Sequence, residues 1–191
     1  FDLKQIEIAE RQALHLTEII DELFAAVKLE DGALLMGTEP VPLAALLEEV
    51  VSSCSVEAQG RGIAISFSGA SKAVAWGDEV WLGRAFQNLV GNAVNFSKPG
   101  GVVEVTLADD GGRATVAVAD HGMGIAPEEI DKVFERYYRT AKERTSRRSS
   151  GLGLSIAQGV IQRHDGTIGV SSELGKGTTF TVTLPIWGHD E

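Results

Sequence analysis

Apolar residues recur at Ile6, Ala9, Ala13, Leu16, Ile20, Leu23 and Val27, and no glycine or proline interrupts residues 2–30. Steps that alternate between three and four define the heptad seam of a helix in a bundle or coiled coil. Ile19 and Phe24 widen the stripe, and Asp31-Gly32 supplies a stop, glycine being suited to the left-handed residue past a helix end. Three heptads are marginal in isolation. The seam therefore predicts a partner, either a second chain or a segment outside this sequence; the alternative is packing on the chain's own domain.

Beyond Gly32 the period changes. Leu34–Met36 reads as a short strand, and Pro42 opens an apolar-periodic helix from Leu43 to Glu57 that Gly60 closes. Ile63–Phe67 and Ala73–Trp76 read as strands. Asp78 is placed to cap a helix running to Phe96. Val102–Leu107 and Ala114–Ala119 alternate about Asp109-Asp110-Gly111-Gly112, a hairpin pattern. Residues 127–138 and Leu152–Arg163 are expected to be helical. Thr167–Val170 and Thr178–Leu184 form a second hairpin, ended by Pro185. Strands and helices mix without strict alternation, which predicts an α/β two-layer sandwich: a mixed, mostly antiparallel sheet with helices on one face. The expected division is a long bundle-type helix over 1–32 and a globular domain over 33–191.

Composition narrows the class. A chain of 191 residues buries enough surface to hold a core without disulfides, and with Cys54 alone no intrachain disulfide is possible. A net charge of −10 argues against a general nucleic-acid binder. No apolar run approaches the roughly 20 residues that span a bilayer, which says nothing about the parent protein. A cytoplasmic setting is expected, on the cytoplasmic side of the membrane if the parent is membrane-bound. The chain opens at Phe1, so it is expected to be a piece of a longer protein.

Four clusters carry chemistry. Asn88, Asn92 and Asn95 fall at i, i+4 and i+7 of the helix after Asp78, which puts three amides on one face. A carboxamide oxygen is a neutral hard ligand suited to Mg²⁺, which shares itself with substrate phosphates; a solvated polar face is the alternative. Asp120-His121-Gly122-Met123-Gly124 follows a strand, its glycines allowing close backbone approach and its aspartate able to accept from an exocyclic amine. Ser149-Ser150-Gly151-Leu152-Gly153-Leu154 opens a helix, whose free N–H groups attract phosphate. It lacks the Gly-Lys-Ser/Thr ending of a P-loop. Between them, Arg136–Arg148 carries six cations against Glu143 alone, a +5 island that leaves −15 on the remainder. A basic segment between two Gly-rich turns reads as a lid over phosphates, or as an exposed loop that is merely basic.

The order of the asparagine helix, the Asp120–Gly124 loop, Phe134-Glu135-Arg136-Tyr137-Tyr138-Arg139, the Gly151-Leu152-Gly153-Leu154 turn and Gly175-Lys176-Gly177-Thr178-Thr179-Phe180 resembles the catalytic, ATP-binding domain of sensor histidine kinases over about residues 38–187. The preceding helix resembles the second half of that family's dimerisation and histidine-phosphotransfer hairpin. The resemblance implies a Bergerat-type fold with ATP and Mg²⁺ as ligands. It implies Asn92 as the metal ligand, Asn88 as its helper, and Asp120 as acceptor for the adenine amine. It implies Gly122 and Gly124 beside the base, and the Ser150–Leu154 turn (Ser150, Gly151, Leu152, Gly153, Leu154) near the phosphates. Arg136 or Arg139 would meet the phosphates on lid closure. The implied partners are a histidine-phosphotransfer segment, a response-regulator receiver domain and a second copy through the N-terminal helix. His164, before Asp165-Gly166, is expected to be structural.

Three departures from the family pattern are visible. Asn95 stands where many members have Lys or Arg, with Lys98 as a candidate substitute. Ser149 stands where glycine is usual. No phosphoacceptor string His-Glu/Asp-Leu-Arg/Lys-Thr-Pro occurs; His15 is followed by Leu16-Thr17-Glu18. Gyrase and mismatch-repair relatives place a water-activating Glu where Asn88 stands, and an amide is no base. Transfer to a protein nucleophile is thus expected over hydrolysis, with the chain unable to label itself. A non-catalytic dimerisation or signalling module and a slow conformational ATPase are the alternatives.

Overall fold

The computed structural model describes residues 3–30, 37–69, 72–139 and 150–188. The elements run α1 (Leu3–Glu30), β1 (Glu39–Pro42), α2 (Leu43–Gly60), β2 (Ala64–Ser68), β3 (Val74–Gly77), α3 (Glu79–Phe96), β4 (Val102–Asp109), β5 (Arg113–Asp120), α4 (Gly153–Arg163), β6 (Thr167–Glu173) and β7 (Gly177–Pro185). A short 3-10 helix occupies Pro127–Lys132.

Five strands form one sheet in the order β2-β4-β5-β7-β6. Only β2 and β4 are parallel, pairing Ala64 with Val102; the other neighbours are antiparallel. Alternation along β4 and β5 sends Val103, Val105, Val116 and Val118 to the buried face. Helices α2, α3 and α4 cover that face, with Phe86, Leu47, Leu89, Ile161 and Phe180 fully buried between the layers. Each such side chain contributes roughly 1.5–3 kcal/mol by leaving water. This is the two-layer α/β sandwich that the pattern predicts. β1 and β3 form a separate antiparallel pair.

Helix α3 starts where Asp78 caps it: Oδ1 accepts from the Trp81 N–H at 3.0 Å, and Oδ2 accepts from the Gly37 N–H at 2.7 Å. His164 supports the same corner. Its Nδ1 lies 2.7 Å from the Val160 carbonyl, which only accepts, so Nδ1 carries the proton. Nε2 then accepts from the Asp78 N–H at 3.0 Å. His164 is a buried structural histidine that joins α4 to the start of α3.

Helix α1 divides its faces. Ala25, Ala26 and Leu29 pack toward α4, Leu29 lies over Gly159, and Arg163 Nη2 donates to the Leu29 carbonyl at 2.8 Å. The heptad seam points elsewhere: Ile6, Leu16, Ile20, Leu23 and Val27 are 44–58% exposed. The helix thus packs on its own domain through one face and keeps the seam uncovered.

Two elements differ from expectation. Residues 127–138 are not a continuous helix, because Tyr137 takes φ +59° and donates its N–H to the Gly151 carbonyl at 2.8 Å, diverting the chain after the 3-10 turn. β1 forms at Glu39–Pro42 although two prolines occupy it, its partner β3 being remote in sequence. The strand expected at Leu34–Met36 and the Asp31-Gly32 stop lie outside the described residues.

Candidate functional site

A cavity of about 200 Å³ lies between α3, α4, the loop after β5 and one side of α1. Along α3 the buried row Leu82, Ala85, Phe86, Leu89 and Ala93 faces the sheet. The amides of Asn88, Asn92 and Asn95 lie beside that row, and all three line the cavity. Asn88 Nδ2 donates to the Gly153 carbonyl at 3.0 Å, which ties α3 to the start of α4.

Asp120, the last residue of β5, stands in the cavity wall at 5% exposure. Burial raises its carboxyl above the ordinary 3.8, opposed by the Gly122 and Thr178 N–H groups and by His121. Oδ1 accepts from the Gly122 N–H at 2.8 Å, so the aspartate also shapes the loop that follows it. Gly122 lies behind that wall, where a Cβ would come within 2.1 Å of the Phe96 carbonyl oxygen. Met123, Gly124 and Ile125 line the cavity. The β6–β7 hairpin holds them in place: Gly175 donates to the Met123 carbonyl at 2.7 Å, and Ile125 donates to Ser172 Oγ at 2.8 Å.

The opposite end is the turn into α4. Ser150 Oγ accepts from the Leu152 N–H at 3.0 Å. Gly151 takes φ +75°, and a Cβ there would lie 2.9 Å from the Tyr137 carbonyl carbon. Only glycine fits a left-handed turn against a second backbone. Ser150, Gly151, Gly153 and Leu154 line the cavity, whereas Leu152 is buried in the core. Phe134 meets Phe180 edge-on at 6.1 Å, and Tyr138 Oη donates to Glu129 at 3.2 Å, anchoring the chain before the basic island. Residues 140–148 of that island, and Ser149 after it, lie outside the described residues.

Other expected contacts fall elsewhere. Arg136 lines a groove between α1 and α4, beside Arg163, and not the cavity. Arg139 is half-buried next to Tyr138 and is not in the cavity wall. Lys98 is exposed, with Nζ 3.5 Å from the Gly175 carbonyl. Several residues enter the site that the pattern did not indicate. Ile19 and Glu22 of α1 line the mouth, Glu22 accepting a hydrogen bond from Ser150 Oγ. Thr178 lines the wall, and Arg61 grips Asn95 from behind.

Among the described residues no group of three or more His, Cys, Asp or Glu side chains could hold a metal. A divalent ion at this site would rest on amide oxygens and on the ligand's own phosphates, which suits Mg²⁺. Asn88, with its nitrogen turned to Gly153, leaves Oδ1 for such use, and Asn92 sits one turn on.

Residues 77–188 match the family model described as histidine kinase-, DNA gyrase B-, and HSP90-like ATPase. The chain belongs to this ATPase family. Within it, the chain is similar to the sensor protein SrrB of Staphylococcus aureus, 33% identical over 175 residues, covering 91% of this chain and 30% of that protein. The chain therefore spans less than a third of the curated relatives it matches. Among solved structures it is similar to full-length ShkA in complex with AMPPNP, with a TM-score of 0.83 and 30% identity, covering 96% of this chain and 38% of that one. It is also similar to the mycobacterial sensor histidine kinase MprB, with a TM-score of 0.68 and 31% identity over 78% of this chain and 98% of that one. The chain carries an ATP-binding catalytic domain of the sensor histidine kinase type. Among its described residues no helix is long and apolar enough to cross a membrane.

Proposed function

We propose that residues 33–191 bind Mg-ATP and transfer its γ-phosphoryl group to a histidine on a phosphotransfer segment of the parent protein. A response-regulator receiver domain would then accept it. The observation that carries this reading is one cavity lined by Asp120 at the end of β5, three asparagines along α3, and the Ser150–Gly153 turn. Asp120 accepts the adenine amine, while Gly122 and Gly124 let the loop close on the base. Asn92 and the Asn88 oxygen would hold the metal, and the N–H groups that open α4 face the phosphates. Mg²⁺, when bound, would supply neutralising charge for the phosphates. Asn88 is an amide and takes no proton from water, so the site favours a protein nucleophile over hydrolysis.

Residues 1–32 would form the second helix of the dimerisation hairpin. The uncovered seam from Ile6 to Val27 is the surface a second copy would cover. Isothermal titration of the chain with ATP, with and without Mg²⁺, tests the nucleotide reading. Binding is expected in both buffers, and tighter with Mg²⁺. No binding in either buffer would leave the non-catalytic module in its place.

A further inference from the structure

The three asparagines of α3 do not turn the same atom toward the cavity. A carboxamide has a donor end and an acceptor end, so a partner that only donates or only accepts decides its orientation. The Gly153 carbonyl only accepts, so Asn88 gives it Nδ2 and keeps Oδ1. Asn95 is the opposite case. Arg61 donates Nη1 to Asn95 Oδ1 and Nη2 to the Asn95 main-chain oxygen at 3.0 Å. A guanidinium has only donors, so Oδ1 must face Arg61. The Nδ2 hydrogens are then left for the cavity that Asn95 lines. Asn95 cannot offer its side-chain oxygen to a metal while this clamp holds.

We propose that Arg61 is a positioning residue for phosphate recognition. It locks Asn95 as an N–H donor toward an anionic oxygen of the nucleotide's phosphate chain, and it places a positive charge behind that amide. The proposal rests on reading the cavity as an ATP site. Asn88 and Asn95 lie seven residues apart, about 10.5 Å along a helix, so the row of amides tracks a ligand's length and not one atom. A cation bonded to one end of an amide polarises it and strengthens the donor at the other.

The fold fixes Arg61 for this task. It is the C-cap of α2, its N–H returning to the Ala58 carbonyl at 3.0 Å. The next residue accepts from Gly100 at 2.8 Å, stapling the end of α2 to the loop after α3. The Arg61 side chain is 26% exposed, and its charged neighbour Glu57, at 4.0 Å, is 67% exposed and screened by solvent. Lys98, just past the end of α3, is turned to Gly175.

The test is competition of ATP, ADP, AMP and adenosine against a fluorescent ATP analogue on the whole chain. Arg61→Ala is expected to weaken the three phosphorylated ligands about tenfold, the scale of a charge-assisted hydrogen bond, and to leave adenosine within about twofold. Arg61→Lys restores only part, because a single ammonium cannot engage both Asn95 oxygens as a planar fork does. Arg61→Ala with Asn95→Ala is no weaker than Asn95→Ala alone. Asn95→Asp, which keeps the Arg61 pairing, retains the parent melting temperature yet loses ATP in metal-free buffer, even where Arg61→Ala does not fold. A parent chain that binds none of the ligands refutes the ATP reading itself. A parent that binds ATP, with Arg61→Ala or Asn95→Asp binding it equally well, overturns the clamp. Equal losses for adenosine, or additive losses in the double variant, also overturn it and leave Arg61 a role in the fold alone.

Discussion

Replacing Asp120 by Asn separates two tasks that one carboxylate performs. Oδ1 holds the Gly122 N–H at 2.8 Å, and the buried carboxylate is the proposed acceptor for the adenine amine. Asparagine keeps an oxygen for Gly122 but removes the charge. A hydrogen bond to a charged group contributes about 1.5–3 kcal/mol, so ATP affinity should fall about ten- to 150-fold. Inosine triphosphate lacks the exocyclic amine and should bind parent and Asp120→Asn alike. Competition titrations with both nucleotides at neutral pH give the comparison. Equal losses for the two would refute the amine contact and assign Asp120 to holding the loop. The pH dependence has a definite sign. Burial raises the Asp120 carboxyl above 3.8, so ATP affinity should fall with pH through that raised value, earlier than for an ordinary aspartate. Stability of the ligand-free chain moves the other way. The folded chain binds this proton more tightly than the unfolded one, so the cost of burying the charge is complete above the folded value. It is relieved as pH falls through that value toward 3.8. The melting-temperature difference between parent and Asp120→Asn should change across this window and level off above it.

Three further substitutions probe the supports. His164→Ala strands the Asp78 N–H and leaves a void beside Gly77, and urea denaturation should show a loss of about 2–4 kcal/mol. Gly122→Ala drives a Cβ to within 2.1 Å of the Phe96 carbonyl, so the loop must leave α3; nucleotide titration should show at least a tenfold loss, and unchanged affinity would mean the loop moves freely. Glu22→Ala removes a carboxylate from the cavity mouth and its bond to Ser150; like charges a few ångströms apart at a surface repel by about 1 kcal/mol or more, so ATP should bind about fivefold more tightly by the same titration.

Local signals and long-range ones were not equally readable. Helix α3 was expected from Asp78 to Phe96 and occupies Glu79–Phe96, because its cap and its apolar row lie within the segment itself. The Asn row, the loop after β5 and the turn into α4 were visible as separate clusters, and the fold brings them around one cavity. What sequence spacing could not show are pairings made by tertiary structure. Arg61 and Asn95 are 34 positions apart, and Glu22 and Ser150 are 128 apart. Neither pair has a local signature, although an arginine just past a helix end was a hint. The helix expected over 127–138 failed for a similar reason: Pro127 is a sound start, but the Tyr137 N–H has a better partner across the basic island at Gly151.

The choice between transfer and hydrolysis is built into more than the identity of residue 88. An amide there cannot activate water, which suggests that Asn88→Glu would convert the site to a hydrolase. The structure predicts otherwise. Asn88 Nδ2 is the donor for the Gly153 carbonyl at 3.0 Å, and this bond joins α3 to the first turn of α4. A glutamate has no donor to give, so the carbonyl loses its tie to α3 and faces a carboxylate instead. Losing such a hydrogen bond costs about 0.5–1.5 kcal/mol, the carboxylate adds repulsion, and both fall on the turn proposed to meet the phosphates. Asn88→Glu should therefore lose nucleotide affinity without gaining turnover. Phosphate release from ATP, measured at saturating nucleotide beside the parent chain, decides the matter. A tenfold or greater rise in hydrolysis would show that residue 88 alone separates the two chemistries and that its bond to Gly153 is dispensable.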